Sequence, residues 1–238
     1  MYEDLLSVYI NGLCSVKRGS TRFGIAPHKP ILLLTFLEMA EKGLIRENRV
    51  RVTADLVGLF QENWRLLVST SHTADFTQPF YYLQNDRVNS QPFWFLIPRL
   101  GMSIHGHIKS IHTLISHLDY GRFEDNLFSM INERTANSML RLALLEKFFP
   151  EKVSHYLDKK SLAHGYIKEL EDYILHAAVD PFTTLLVREE EEVYVRQGFF
   201  KKYVPQVYND TCCISGMRLI PTHGYSMADA CHIVPFAV

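Results

Sequence analysis

Two places in the sequence concentrate side chains able to do chemistry. Near the C-terminus, His232 follows Asp229-Ala-Cys231 and precedes Ile-Val-Pro-Phe236. An imidazole can take a proton from water, and a neighbouring carboxylate or thiol can face a metal, so Asp229 and Cys231 are candidate metal-side neighbours. Strand alternation can turn such a neighbour to the opposite face, and a lone strand histidine has a plainer use, bonded in the core to a backbone carbonyl. Near the N-terminus, His28 and Lys29 stand just before the run Pro30-Ile-Leu-Leu-Leu34. A cation beside a helix N-terminus is a ready phosphate site.

Other reactive residues are less organised. Cys212 and Cys213 are adjacent and cannot easily chelate one ion together, which argues against a structural zinc site. His105, His107, His112 and His117 invite a metal reading, but 112 and 117 miss the i, i+4 spacing of a helical pair, so surface histidines are expected. Arg196, Lys201 and Lys202, interleaved with Phe199, Phe200 and Tyr203, could line a DNA backbone or belong to an amphipathic linker helix.

Helices and a small sheet must position these groups. Pro30 in a first turn, crowded apolar residues and Gly43 as a stop predict a buried helix over 29–42. Thr53 as N-cap, Asp55 in the first turn, and Leu56, Leu59, Phe60, Trp64 and Leu67 at helical spacing predict a second. Aromatic clusters at 76–83 and 93–97 around the polar break 84–91 predict two short strands and a turn. Helical periodicity returns near 107–118, 123–131, 134–148 and 161–178. The acidic run Glu189–Glu192 marks a linker, and 212–220 and 228–234 read as strands joined by Pro221-Thr-His-Gly224.

Composition sets the outer bounds. The 238 residues hold 25 basic and 26 acidic side chains, a net charge of −1, with 47% hydrophobic and 21% charged residues. That excludes disorder, collagen and coiled coil, and excludes bulk polybasic attraction while leaving room for a local basic patch. Four cysteines make no disulfide framework, which with the lack of an export signal or membrane span points to the cytoplasm.

The C-terminal segment, Cys213-Ile-Ser-Gly216 with Ala230-Cys-His-Ile-Val-Pro235, resembles the first half of the HNH endonuclease motif. The resemblance implies a ββα-metal module in which His232 activates the attacking water beside a divalent ion, Mg or Mn, that stabilises the leaving oxygen. The Asn and second His of the motif are not among these residues, so the chain is expected to be truncated inside the motif and not to cut DNA as it stands.

The N-terminal segment, His28-Lys-Pro-Ile-Leu-Leu-Leu34 with Gln78-Pro-Phe-Tyr-Tyr-Leu-Gln-Asn-Asp86, resembles the sulfur-binding domain of modification-dependent restriction enzymes. The resemblance covers about residues 1–150 and implies docking on duplex DNA, with a phosphorothioate sulfur against an apolar wall. The matching positions are His28 and Lys29 on the basic side, Pro79 and Tyr82 on the apolar side, with Gln78 beside them. Sulfur is larger and less strongly hydrated than oxygen, so an apolar wall favours it. Lys29 replaces the family's Arg, a planar fork, and Gln78 replaces a Tyr.

The expectation is an α+β protein: a mainly helical recognition domain with a small β-sheet at 1–150, a helical linker at 151–195 and a truncated HNH module at 196–238. Its expected function is modification-dependent DNA cleavage, and a homodimer would be a natural way to cut both strands. A non-catalytic DNA-binding regulator with a degenerate HNH-like segment is the competing class, and a protein-interaction module without a nucleic-acid partner is a third.

Overall fold

The computed structural model describes residues 2–161, 190–212 and 215–218. Their helices in chain order are α1 (Tyr2–Leu13), α2 (His28–Glu41), α3 (Ala54–Leu67), α4 (Thr77–Tyr82), α5 (Ile111–His117), α6 (Asp125–Asn132), α7 (Arg134–Phe148), α8 (Val153–Ser161) and α9 (Glu190–Val207). Three antiparallel pairs accompany them: β1 (Ser20–Thr21) with β2 (Gly24–Ile25), β3 (Arg87–Val88) with β4 (Gln91–Pro92), and β5 (Trp94–Pro98) with β6 (Leu118–Phe123). The described part is therefore α+β, dominated by helix.

Helix α2 is buried along nearly its whole length, from His28 to Ala40, with apolar residues spread around the helix rather than confined to one face. It packs against α3, α4, α6 and α7, which explains its weak amphipathicity. Helix α3 starts as its sequence signals: extended Thr53 accepts a hydrogen bond from the Leu56 N–H at 3.2 Å. Glu133 ends α6 and caps α7, accepting from the N–H groups of Thr135 and Ala136 at 2.9 and 2.6 Å. This cap separates two helices that could otherwise have run together.

The strand expected at 76–83 is instead α4 followed by a 3-10 turn, Leu83–Asn85. The Asp75 carboxylate accepts from the Gln78 N–H at 3.1 Å, and a Glu191 carboxylate oxygen from the Phe76 N–H at 2.7 Å. Phe76 and Phe80, one helical turn apart, then enter a core with Phe60, Phe36 and Trp94. The strand expected at 93–97 is present as β5, and its partner β6 lies between two expected helices. Gly121 of β6 lies against the Trp94 indole, where an added Cβ would come within 2.2 Å of the ring. The expected helix 107–118 begins only at Ile111, where Ser110 is the N-cap.

The acidic run opens α9 and docks it. Glu190 accepts from the Ser110 hydroxyl at 2.8 Å, Glu191 reaches the Phe76 N–H, and Glu192 pairs with Arg65 at 2.8 Å. Val195 and Phe199 are buried, and Gly198 brings α9 close to Ala54 of α3. The boundary expected at 195/196 falls inside this helix, and Lys202 pairs with Asp55 at 3.1 Å. Of the expected C-terminal strands, an antiparallel bridge between Thr211 and Arg218 is described. Most of the expected helix 161–178 and the strand 228–234 lie outside the described residues.

A second polar system fastens α8. Lys160 reaches Glu38 of α2 at 2.8 Å and Glu62 of α3 at 2.6 Å, while the Tyr156 hydroxyl donates to Asn63 at 3.0 Å. Asn63 in turn donates to Glu38 and Thr35, each at 3.1 Å. Burial, with the nearby Glu38, pushes the Tyr156 phenol well above its ordinary pKa, so it remains a hydrogen-bond donor.

Candidate nucleic-acid interface

The first turn of α2 is prepared by the β1–β2 hairpin. The Ala26 N–H donates to the Gly19 carbonyl at 2.8 Å, closing the hairpin base, and Pro27 occupies the N-cap position without a side-chain cap. Pro30, with its fixed backbone angle, suits the turn that follows.

His28 points inward. Its residue surface is 8% exposed, its Nε2 lies 3.0 Å from the Thr73 carbonyl, and its ring lies 4.7 Å from that of Trp64. The carbonyl can only accept, so Nε2 carries the proton in the neutral tautomer and Nδ1 is a buried acceptor without a partner. Burial lowers the His28 pKa from its ordinary 6.5, so the ring is held neutral at pH 7. Beside it, His72 lies between the hydroxyls of Thr21 and Thr70, each at 2.7 Å.

Lys29 is paired. Its ammonium meets the Asp86 carboxylate, which is buried, and the other carboxylate oxygen accepts from the Lys17 N–H at 2.7 Å. Arg87 adds hydrogen bonds to the carbonyls of Gln84 and Asp86 at 2.7 and 3.0 Å. The start of α2, the segment before β1 and the end of the 3-10 turn are thus tied at one point.

The positions expected to form the apolar wall divide. Gln78 is exposed and Pro79 is buried, while Tyr82 is 39% exposed. Tyr82 forms a surface cluster with Tyr81 and His107, at ring separations of 5.0 and 5.5 Å. His107, expected as a surface histidine, is half-buried, and its Nε2 lies 3.0 Å from the Thr77 hydroxyl. Sequence reasoning did not single out Thr77, His72 or Glu191, whose roles depend on partners distant in the chain. Asp86 was legible as part of a motif but not as the counter-ion of Lys29.

His232, Asp229 and Cys231 lie outside the described residues. Among the described residues no three or more His, Cys, Asp or Glu side chains are grouped to hold a metal ion, and no helix is long and apolar enough to cross a membrane. No protein-family model matches the chain, and no curated protein matches it.

Proposed function

We propose that this chain reads duplex DNA through the body built on residues 1 to about 150, as the recognition part of a modification-dependent, HNH-type restriction endonuclease. The observation that carries the reading is the Lys29–Asp86 pair. These residues, 57 apart in sequence, belong to the two separate elements on which the N-terminal resemblance rests, and they meet in the fold. A chance match to either element alone would not require that meeting.

Lys29 acts here as a positioning cation, and His28 as a neutral group bonded to Thr73. Tyr82 is the exposed apolar residue left to face a DNA backbone, and Lys17 and Lys109 are exposed cations available to it. An apolar ring edge favours a phosphorothioate sulfur over the more strongly hydrated oxygen. In the C-terminal module, His232 would take the proton from the attacking water, with Asp229 and Cys231 as neighbours. A divalent ion, Mg or Mn, supplies stabilisation of the leaving oxygen when bound.

The test is fluorescence-anisotropy binding to matched duplexes, unmodified, phosphorothioated and cytosine-methylated, over a range of salt. The expected result is salt-dependent binding that is tightest for the phosphorothioated duplex, with the preference lost in Tyr82→Ala. Equal binding to all three would remove the modification from the reading. No binding at low salt would remove DNA.

A further inference from the structure

The β1–β2 hairpin projects two side chains of complementary character beside the start of α2. Its two-residue tip is Arg22-Phe23, and the Arg22 guanidinium lies over the Phe23 ring, 4.5 Å from its centroid. Phe23 and Ile25 are 39% and 58% exposed, so the hairpin presents apolar surface beside the Arg22 charge.

The tip is held in shape. The Thr21 hydroxyl donates to the Gly24 carbonyl at 3.0 Å and accepts from the Phe23 N–H at 3.1 Å. It also meets His72 Nε2, and the Phe23 ring packs edge-on against His72 at 5.7 Å. Gly24 has a φ of 107°, a conformation side chains rarely adopt, so the turn depends on glycine there. Such a tip can enter a groove without paying the ordering cost of a loose loop.

Charge points to the partner. From Leu5 to Leu37 the sequence holds no Asp or Glu, while Lys17, Arg18, Arg22 and Lys29 are basic. Lys29 is committed to Asp86, and Arg18 packs over the Phe148 ring at 4.5 Å, which leaves Arg22 and Lys17 on the exposed side of this stretch.

Resting on the DNA-binding reading above, we infer that the Arg22-Phe23 tip enters a groove of the duplex and is a specificity-determining element, with Arg22 at a base edge and Phe23 against the adjoining sugar or base step. A guanidinium can form two hydrogen bonds to guanine, and an exposed aromatic beside it can wedge against a base step. The hairpin would read sequence while the surface near Tyr82 meets the backbone.

The test compares duplex affinity of the whole chain with that of Arg22→Ala, Arg22→Lys and Phe23→Ala. Arg46→Ala, at the opposite end of α2, is the charge control. Arg22→Ala and Phe23→Ala should each weaken binding about tenfold. Arg22→Lys should not restore it, because an ammonium lacks the fork. The control should change affinity by about twofold at most. The three side chains changed in these four variants are exposed, and unchanged thermal melting would show that the fold is intact. If wild-type protein binds duplex and the hairpin variants bind equally well, the hairpin inference is overturned and the DNA-binding reading stands. If wild-type protein binds no duplex but captures an acidic polypeptide such as polyglutamate, both are overturned.

Discussion

The Lys29 ammonium and the Asp86 carboxylate form an ion pair that joins the first turn of α2 to the end of the Gln78–Asp86 segment. Asp86 also receives the Lys17 N–H, so removing its charge disturbs three chain segments at once. Lys29→Ala should cost about 3–5 kcal/mol, because a buried carboxylate loses its counter-ion. The joint replacement Lys29→Met with Asp86→Leu should cost much less than the two single changes added together. Urea unfolding of the four proteins as a double-mutant cycle checks this, and additive losses would show that the pair is not energetically coupled.

Lys160 bridges Glu38 and Glu62 on two different helices. Lys160→Met keeps the length of the side chain but takes the bridging cation from buried Glu62 and leaves Glu38 with Lys42 at 3.4 Å, and should lower stability by about 3–5 kcal/mol. Adding Glu62→Gln should recover part of that loss. Chemical denaturation of both variants measures it.

Gly198 lies where an added Cβ would come within 2.3 Å of the Ala54 Cβ. On an exposed helix Gly→Ala stabilises by about 1 kcal/mol, but here contact between α9 and α3 should reverse the sign. Gly198→Ala is therefore expected to destabilise by about 1–3 kcal/mol and to raise amide exchange in α9 more than in α2. An increase in stability would mean that α9 does not pack as closely as described.

Asn89 and Ser90 form the β3–β4 turn with φ of 49° and 64°, both in the left-handed region. Asn tolerates that conformation better than Ser. Ser90→Gly should raise stability by about 1 kcal/mol, read as a shift in the urea midpoint. A loss would show that the Ser90 side chain contributes more than its backbone strain costs.

His28 supplies a pH dependence whose sign follows from its burial. Its pKa is below the ordinary 6.5 in the folded protein, so between the two values the unfolded chain binds more protons. Stability should therefore fall as pH drops through 6.5 towards the lower folded value, and remain level in this respect at higher pH. His28→Gln should flatten that part of the stability profile, whatever its effect at pH 7. An unchanged slope would assign the acid sensitivity to other groups.

The local elements with self-contained signals were legible in the sequence. Uniform apolarity predicts the buried α2, Thr53 with its helical spacing predicts α3, and 134–148 coincides with α7. Residues 76–83 were misread because aromatic richness favours a strand only when no stronger local partner intervenes. Here Asp75 and the distant Glu191 hold the first turn of α4, and spacing by four sends Phe76 and Phe80 into the same core. The short pairs β1–β2 and β3–β4 carry too few residues for periodicity to register.

By itself the sequence determined the chemical repertoire: the His28-Lys29 and His232 candidates, the basic stretch without acids before Glu38, and the helix-forming periods that bury so much apolar surface. Those properties depend on residue identity and neighbours a turn or two away. The tertiary structure alone decided which cation is paired and which exposed, because burial and counter-ions come from distant segments. It turned His28 inward to Thr73, gave Lys29 to Asp86, and left Arg22 and Phe23 at the tip of a hairpin. A charge acquires its role from what the fold places within a few ångströms of it, since desolvation and pairing act only at that range.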